Sequence, residues 1–382
     1  MGLINNRHAH FIRLALIIVL CAACAQRGQI TLAPEAAALG SVVPIFVGTT
    51  RAYDTKTQTF TAERSDTVSF ARYDISVPPD REAGDISFVP RGRGPNPAVD
   101  FLTTRAVQLS GDGTYKRDLA AALRAKPRGD RDAIIFVHGF NNTFAEGLYR
   151  LAQLSHDLQL PGVPVHYSWP SRGAALAYVA DRDSALFARD GLEQLIRETK
   201  AAGAENVILV AHSMGSALLM EALRQMAIRG DTSTIGSIGG VILISPDLDV
   251  DVFRMQARTV GALPQPFVIF GSDRDKLLNI SARLSAEPER LGNLTDISRL
   301  ADLQVTYLQS GAFSEGTGHF DVGNSPALIG LLDRIGDIDT ALERDRRGRT
   351  GLLPGIVLTV RNATEIVLAP VTAISQATQR QR

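Results

Sequence analysis

From Asp132 onward the chain repeats one pattern: a short, wholly apolar run followed by a stretch with the apolar spacing of a helix. Ala133-Ile-Ile-Phe-Val137, Val207-Ile-Leu-Val210, Val241-Ile-Leu-Ile244 and Phe267-Val-Ile-Phe270 carry no polar face. Each is expected to be a strand buried on both sides. Val163 to Trp169 and Leu303 to Leu308 read as two more. Phe144 to Leu158 places leucine at 148, 151, 154 and 158, three and four apart, as one face of a helix requires. Further helices are expected over Ser184 to Ala202, Ser216 to Ile228 and about Ala327 to Ile335. Strands alternating with helices predict an α/β chain, with a mostly parallel central sheet, right-handed crossovers and helices on its flanks.

The residues before this pattern read differently. Val42 to Phe46 looks like a strand, Thr49 to Phe60 like a turn-rich connection, and Val68 to Val77 alternates apolar and polar until Pro78-Pro79 stops it. An N-terminal β-rich region packed on the main domain is therefore expected over 41–130. The main domain is expected over 131–337 and a C-terminal extension over 338–382, with its apolar residues 352–358 completing the core at an edge. At the start, Arg7 and Arg13 flank the apolar run Leu14 to Leu20, followed by Cys21-Ala-Ala-Cys24. That run is too short to cross a bilayer, which takes roughly 20 apolar residues, and has the length of a secretory signal's centre. Residues 1–24 are thus expected to be a signal peptide and 25–40 a tether. The segment resembles a bacterial lipoprotein signal, which implies acylation of Cys24; conventional cleavage near Ala25 is the alternative. Both cysteines of the chain lie in this segment, so no disulfide is expected in the body of the fold.

Chemistry is concentrated in Ala211-His-Ser-Met-Gly215. A serine hydroxyl needs a base and a backbone that thrusts it clear of its neighbours. A sharp turn from strand to helix supplies the second, and small residues such as Ala211 and Gly215 must flank it. The motif follows one apolar strand and opens one helix, which makes Ser213 the expected nucleophile rather than a helix cap. His138-Gly-Phe-Asn-Asn142 follows the strand 133–137, where a loop can offer one backbone N–H to an oxyanion. The expected donors are the N–H groups of Phe140 and Met214, with His138 as a structural hydrogen-bonder. With chain order Ser, acid, His, the base is His319, the one histidine downstream of Ser213. Four aspartates compete as the acid: Asp273 and Asp275 after the strand 267–270, Asp247 and Asp249 after the strand 241–244. Trp169 reads equally as a wall of the substrate pocket or as core.

Val47-Gly-Thr-Thr-Arg51, Val77-Pro-Pro79, the Phe-Val-His-Gly-Phe-Asn segment at 136–141, Tyr-Ser-Trp-Pro-Ser at 167–171, the serine motif, Ser245-Pro-Asp247 and Ser-Asp-Arg-Asp at 272–275 occur together. In this combination the chain resembles a family of bacterial α/β-hydrolase proteins, often lipoproteins, of the esterase/lipase superfamily. The resemblance spans about 41–335. It implies the α/β-hydrolase fold, favours Asp275 over Asp273 as the acid, and brings no substrate. A carboxylic ester hydrolase acting on a small-molecule, lipid or thioester substrate is expected, in an exported protein anchored by lipid to a membrane facing the periplasm. A tethered binding or scaffold protein without turnover is the rival. No metal or organic cofactor is expected. With 40 basic and 40 acidic side chains, the chain lacks the concentrated basic face that nucleic acid requires.

Overall fold

The computed structural model of the chain describes residues 27–285, 287, 289–313, 318–326, 329 and 355–368. The signal segment with Cys24, most of the expected helix 327–335 and Leu352-Leu353 lie outside these.

Eleven strands form one sheet. They are β1 (Ser41–Asp54), β2 (Thr59–Val77), β3 (Leu102–Leu109), β4 (Ala133–Val137), β5 (Val163–Ser168), β6 (Val207–His212), β7 (Ile238–Ile244), β8 (Phe267–Gly271), β9 (Val305–Gln309), β10 (Gly355–Val360) and β11 (Ala363–Leu368). The order across the sheet is β10-β11-β9-β8-β7-β6-β4-β5-β1-β2-β3. Every pair from β11 through β1 is parallel, and an antiparallel partner closes each flank. Within the expected N-terminal β-rich region, β1 joins β5 edge to edge and continues the sheet.

Among the described residues seven helices of nine residues or more cover its faces: α1 (Gly111–Arg124), α2 (Phe144–Asp157), α3 (Tyr178–Phe187), α4 (Arg189–Ala201), α5 (Met214–Ile228), α6 (Val250–Val260) and α7 (Lys276–Leu284). Alternate residues of a strand face opposite sides, so the buried strands feed two cores. Phe46, Ile135, Leu209, Val241 and Ile269 meet α1, α4, α5 and α6 on one side. Ile45, Val47, Phe136, Val268 and Phe270 meet α2 on the other, including Leu148, Leu151 and Leu154 of its leucine stripe. Among the described residues no helix is long and apolar enough to cross a membrane.

Two expectations need correction. Thr49 to Phe60 is not chiefly a connection, because β1 runs to Asp54 and β2 begins at Thr59. Two register shifts around Arg51 let this hairpin bend while it remains paired. The long helix expected at Ser184 to Ala202 is two helices meeting at Ala188, whose carbonyl accepts the Tyr167 hydroxyl at 2.5 Å.

Candidate active site

The parallel strands β4, β6, β7 and β8 all point their C-terminal ends at one edge of the sheet, and the candidate residues gather there. At the end of β6 the backbone reverses within a single residue. Ser213 has φ +53° and ψ −124°, a conformation that costs an L-residue free energy and that a strand-to-helix elbow imposes. Close packing enforces it: a Cβ on Gly215 would lie 2.4 Å from the His138 carbonyl oxygen and 2.7 Å from that of Val137. Only glycine lets α5 sit this close to β4. The Ser213 side chain caps nothing in its own helix.

His319 stands over the serine. Its Nε2 lies 3.0 Å from Ser213 Oγ, and its Nδ1 lies 2.7 Å from Asp275 Oδ2. The imidazole is 12% exposed and the carboxylate wholly buried. The other oxygen of Asp275 accepts the N–H groups of Leu277 and Leu278, so the same side chain caps α7 and faces the histidine. The remaining aspartates are occupied elsewhere or turned outward. Asp273 is exposed. Asp249 caps α6 through the N–H groups of Asp251 and Val252. Asp247 accepts from Ser281 at 2.5 Å and Tyr178 at 2.8 Å and pairs with Arg290. Chain position alone could not separate these four, because all follow strands that end at the same edge.

Phe140 and Met214 lie on the loop after β4 and at the first position of α5. Among the described residues no acceptor pairs with either N–H, as expected for the first N–H of a helix. Gly139 brings the loop close: a Cβ there would fall 2.9 Å from that of Ser213. Asn141 has φ +59° and Ser245, at the end of β7, φ +44°. With Ser213 they make three uncommon backbones around one site.

His138 is pinned rather than free. Its ring nitrogens lie 2.9 Å and 3.0 Å from the carbonyls of Gly139 and Trp169. The ring stacks on Trp169, whose indole N–H donates back to the His138 carbonyl. Burial, with Arg51 nearby, holds the His138 pKa well below its usual value. Trp169 is fully buried and serves the core.

Sequence reasoning gave Arg51 no role. Its buried guanidinium donates to Ser168 Oγ, to the carbonyls of Thr61 and Ser171, and to that of Asn142 in the loop after Gly139. Burial pushes its pKa down to about 9 while Asp181 and Glu146 push it back, leaving a cation at neutral pH. Asp181 in turn accepts from Ser171 Oγ at 2.5 Å. The segment Val47 to Arg51 carried the only available signal. A cavity of about 210 Å³, lined among others by Met214, Leu218, Leu186 and Val252, opens beside the elbow. Among the described residues no cluster of three or more His, Cys, Asp or Glu could hold a metal.

A parallel sheet that carries a strained serine elbow at its C-terminal edge defines the class of α/β hydrolases. The chain belongs to the family described as alpha/beta hydrolase of unknown function (DUF900), whose model matches residues 113–345. Hydrolase is thereby its coarse class. Among solved structures it is similar to a YdeN-like hydrolase from Pectobacterium atrosepticum, with 16% identity, 58% of this chain and 95% of that one covered, and a TM-score of 0.32. It is also similar to a fungal esterase from Rhizomucor miehei, with 14% identity, 82% and 92% covered, and a TM-score of 0.34. A Trichoderma reesei cutinase shares 15% identity over 34% of this chain and 61% of that one, with a TM-score of 0.22. No curated protein matches the sequence.

Proposed function

We propose that the protein is a serine hydrolase of carboxylic esters, with Ser213 as nucleophile, His319 as general base and Asp275 as the acid that orients it. The observation that carries this reading is the hydrogen-bonded line from Ser213 Oγ through both ring nitrogens of His319 to Asp275 Oδ2, at 3.0 Å and 2.7 Å. In the proposed reaction the Ser213 hydroxyl gives its proton to His319 Nε2 as Oγ attacks the ester carbonyl. The N–H groups of Phe140 and Met214 hold the oxyanion. The C–O bond to the leaving alcohol breaks as His319 returns the proton to it, leaving an acyl-serine. Water, deprotonated by the same nitrogen, then releases the acid and restores Ser213. Asp275 fixes Nδ1–H and balances the imidazolium charge.

The reading includes location. An apolar run of signal length followed by Cys24 supports export and lipid anchoring to a bacterial membrane facing the periplasm. The mass of the mature N-terminus tests it: an unmodified terminus near Ala25 would refute the lipid anchor, and an intact Met1 would refute export as well.

The function is tested by a fluorophosphonate probe on the folded protein. Labelling of one serine per chain, lost in Ser213→Ala, is expected together with hydrolysis of short p-nitrophenyl esters. A folded wild type that takes no label would overturn the proposal and leave a binding protein on a hydrolase fold.

A further inference from the structure

Arg27 is held against the loop that carries Phe140. Arg27 donates to the side chain and the carbonyl of Asn141, both at 2.7 Å, and to Glu146 at the start of α2. From this pin the segment 172–178 crosses beside the loop that carries Phe140. At one end a Cβ on Gly173 would stand 3.1 Å from the Thr143 methyl and 3.5 Å from Arg27. At the other, Tyr178 packs edge-on against Phe140, with ring centroids 5.4 Å apart, and bonds Asp247 and Ser281.

Between these fixed ends stands Leu176, 94% exposed, with Val179 following at 75%. They are the two most exposed large apolar side chains among the described residues. Tyr178, which lies between them in sequence, lines the elbow cavity with Leu186 on α3 and Val252 on α6, both exposed, and Leu277 and Ile280 on α7 are exposed as well. A patch of this kind marks a surface with a partner. Arg172 and Arg182, both exposed, flank Leu176 and Val179 in sequence, and long cationic side chains suit a headgroup layer.

Chain connectivity argues for the occupant. Cys24 precedes Arg27 by three residues, and three residues of extended chain reach about 10 Å. The apolar run Leu14 to Leu20 lies just before it. Whatever holds this part of the chain to a membrane holds the mouth of the site beside it.

We propose that this face docks on a lipid bilayer, with Leu176 and Val179 entering the interface, so that the site draws its substrate from membrane-resident amphiphiles. The docking rests on this surface and on the membrane anchoring proposed above; the substrate class rests on the ester-hydrolase reading above.

The full chain, purified from membranes and reconstituted into phosphatidylcholine vesicles brominated on the acyl chains, supplies the test. Its one tryptophan, Trp169, is fully buried and gives the background. Leu176→Trp and Val179→Trp are each expected to lose about half of their added fluorescence to the bromines, as shallow interfacial insertion requires. Ile228→Trp, at the end of α5 about 20 Å from Ser213 along the helix axis, should lose none. The double variant Leu176→Asp/Val179→Asp should cleave a vesicle-embedded ester about tenfold more slowly, with unchanged hydrolysis of a soluble short-chain ester. Absence of quenching at both 176 and 179 would overturn the docking. A blue-shifted emission at 176 that bromine leaves untouched would also overturn it, because protein would then cover the patch. Quenching without phosphonate labelling would spare the docking and strike the hydrolase reading instead.

Discussion

Asp275 shows how much one side chain can carry. One oxygen ties down the start of α7 and the other faces His319. Asparagine caps a helix about as well as aspartate, so Asp275→Asn should leave the melting temperature nearly unchanged. It should nevertheless lower kcat by about 10³–10⁴-fold, because an amide cannot hold the imidazole in its tautomer and balance its charge. Exposed Asp273→Asn should change kcat by less than about twofold. Ester hydrolysis rates beside thermal melts check both, and a large loss at Asp273 alone would reassign the acid.

At the scale of elements, two contacts set where the loop after β4 and the start of α5 lie. Gly215→Ala would drive a methyl into the carbonyls of His138 and Val137, backbone atoms that cannot rotate away. A loss of about 1–3 kcal/mol is expected, with slower phosphonate labelling as the elbow shifts. Arg51 acts from the far side, with its cation spread over β2, the 168–171 turn and Asn142. Arg51→Met would leave those buried acceptors without their donor. A cost of about 3 kcal/mol or more, summed over the unpaired groups, is expected from urea unfolding. An unchanged midpoint would show that the loop is held by other contacts.

The whole molecule stores an acid sensitivity in its histidines. Burial lowers the His166 pKa to about 3 and holds that of His138 well below its usual value. Unfolded, each takes up a proton near pH 6.5. Below that pH the unfolded chain binds more protons than the folded one, so stability falls as pH falls, by about 1.4 kcal/mol per pH unit for each histidine. For His166 the window runs from about pH 6.5 down to its folded value near 3. The melting temperature is expected to drop between pH 7 and pH 5, and His166→Gln to flatten the slope. A slope unchanged in that variant would remove His166 from the cause.

The alternating architecture is legible along the chain, because strands buried on both faces must be apolar throughout and helices on one face must repeat every three to four residues. The sequence also singled out Ser213, since a strand, a small-residue turn and a helix are contiguous in the chain and demand local chemistry. Only the outer half of the β1–β2 hairpin escaped, because it is partly solvated and interrupted by charged residues. The break at Ala188 escaped because both halves keep the amphipathic period. Which aspartate faces His319, what holds the loop after β4, and which apolar side chains remain uncovered depend on the tertiary structure. Each depends on residues brought together from distant parts of the chain: 44 positions separate Asp275 from His319, and 91 separate Arg51 from Asn142. No local pattern encodes a contact of that span; it exists only once the sheet has ordered its strands.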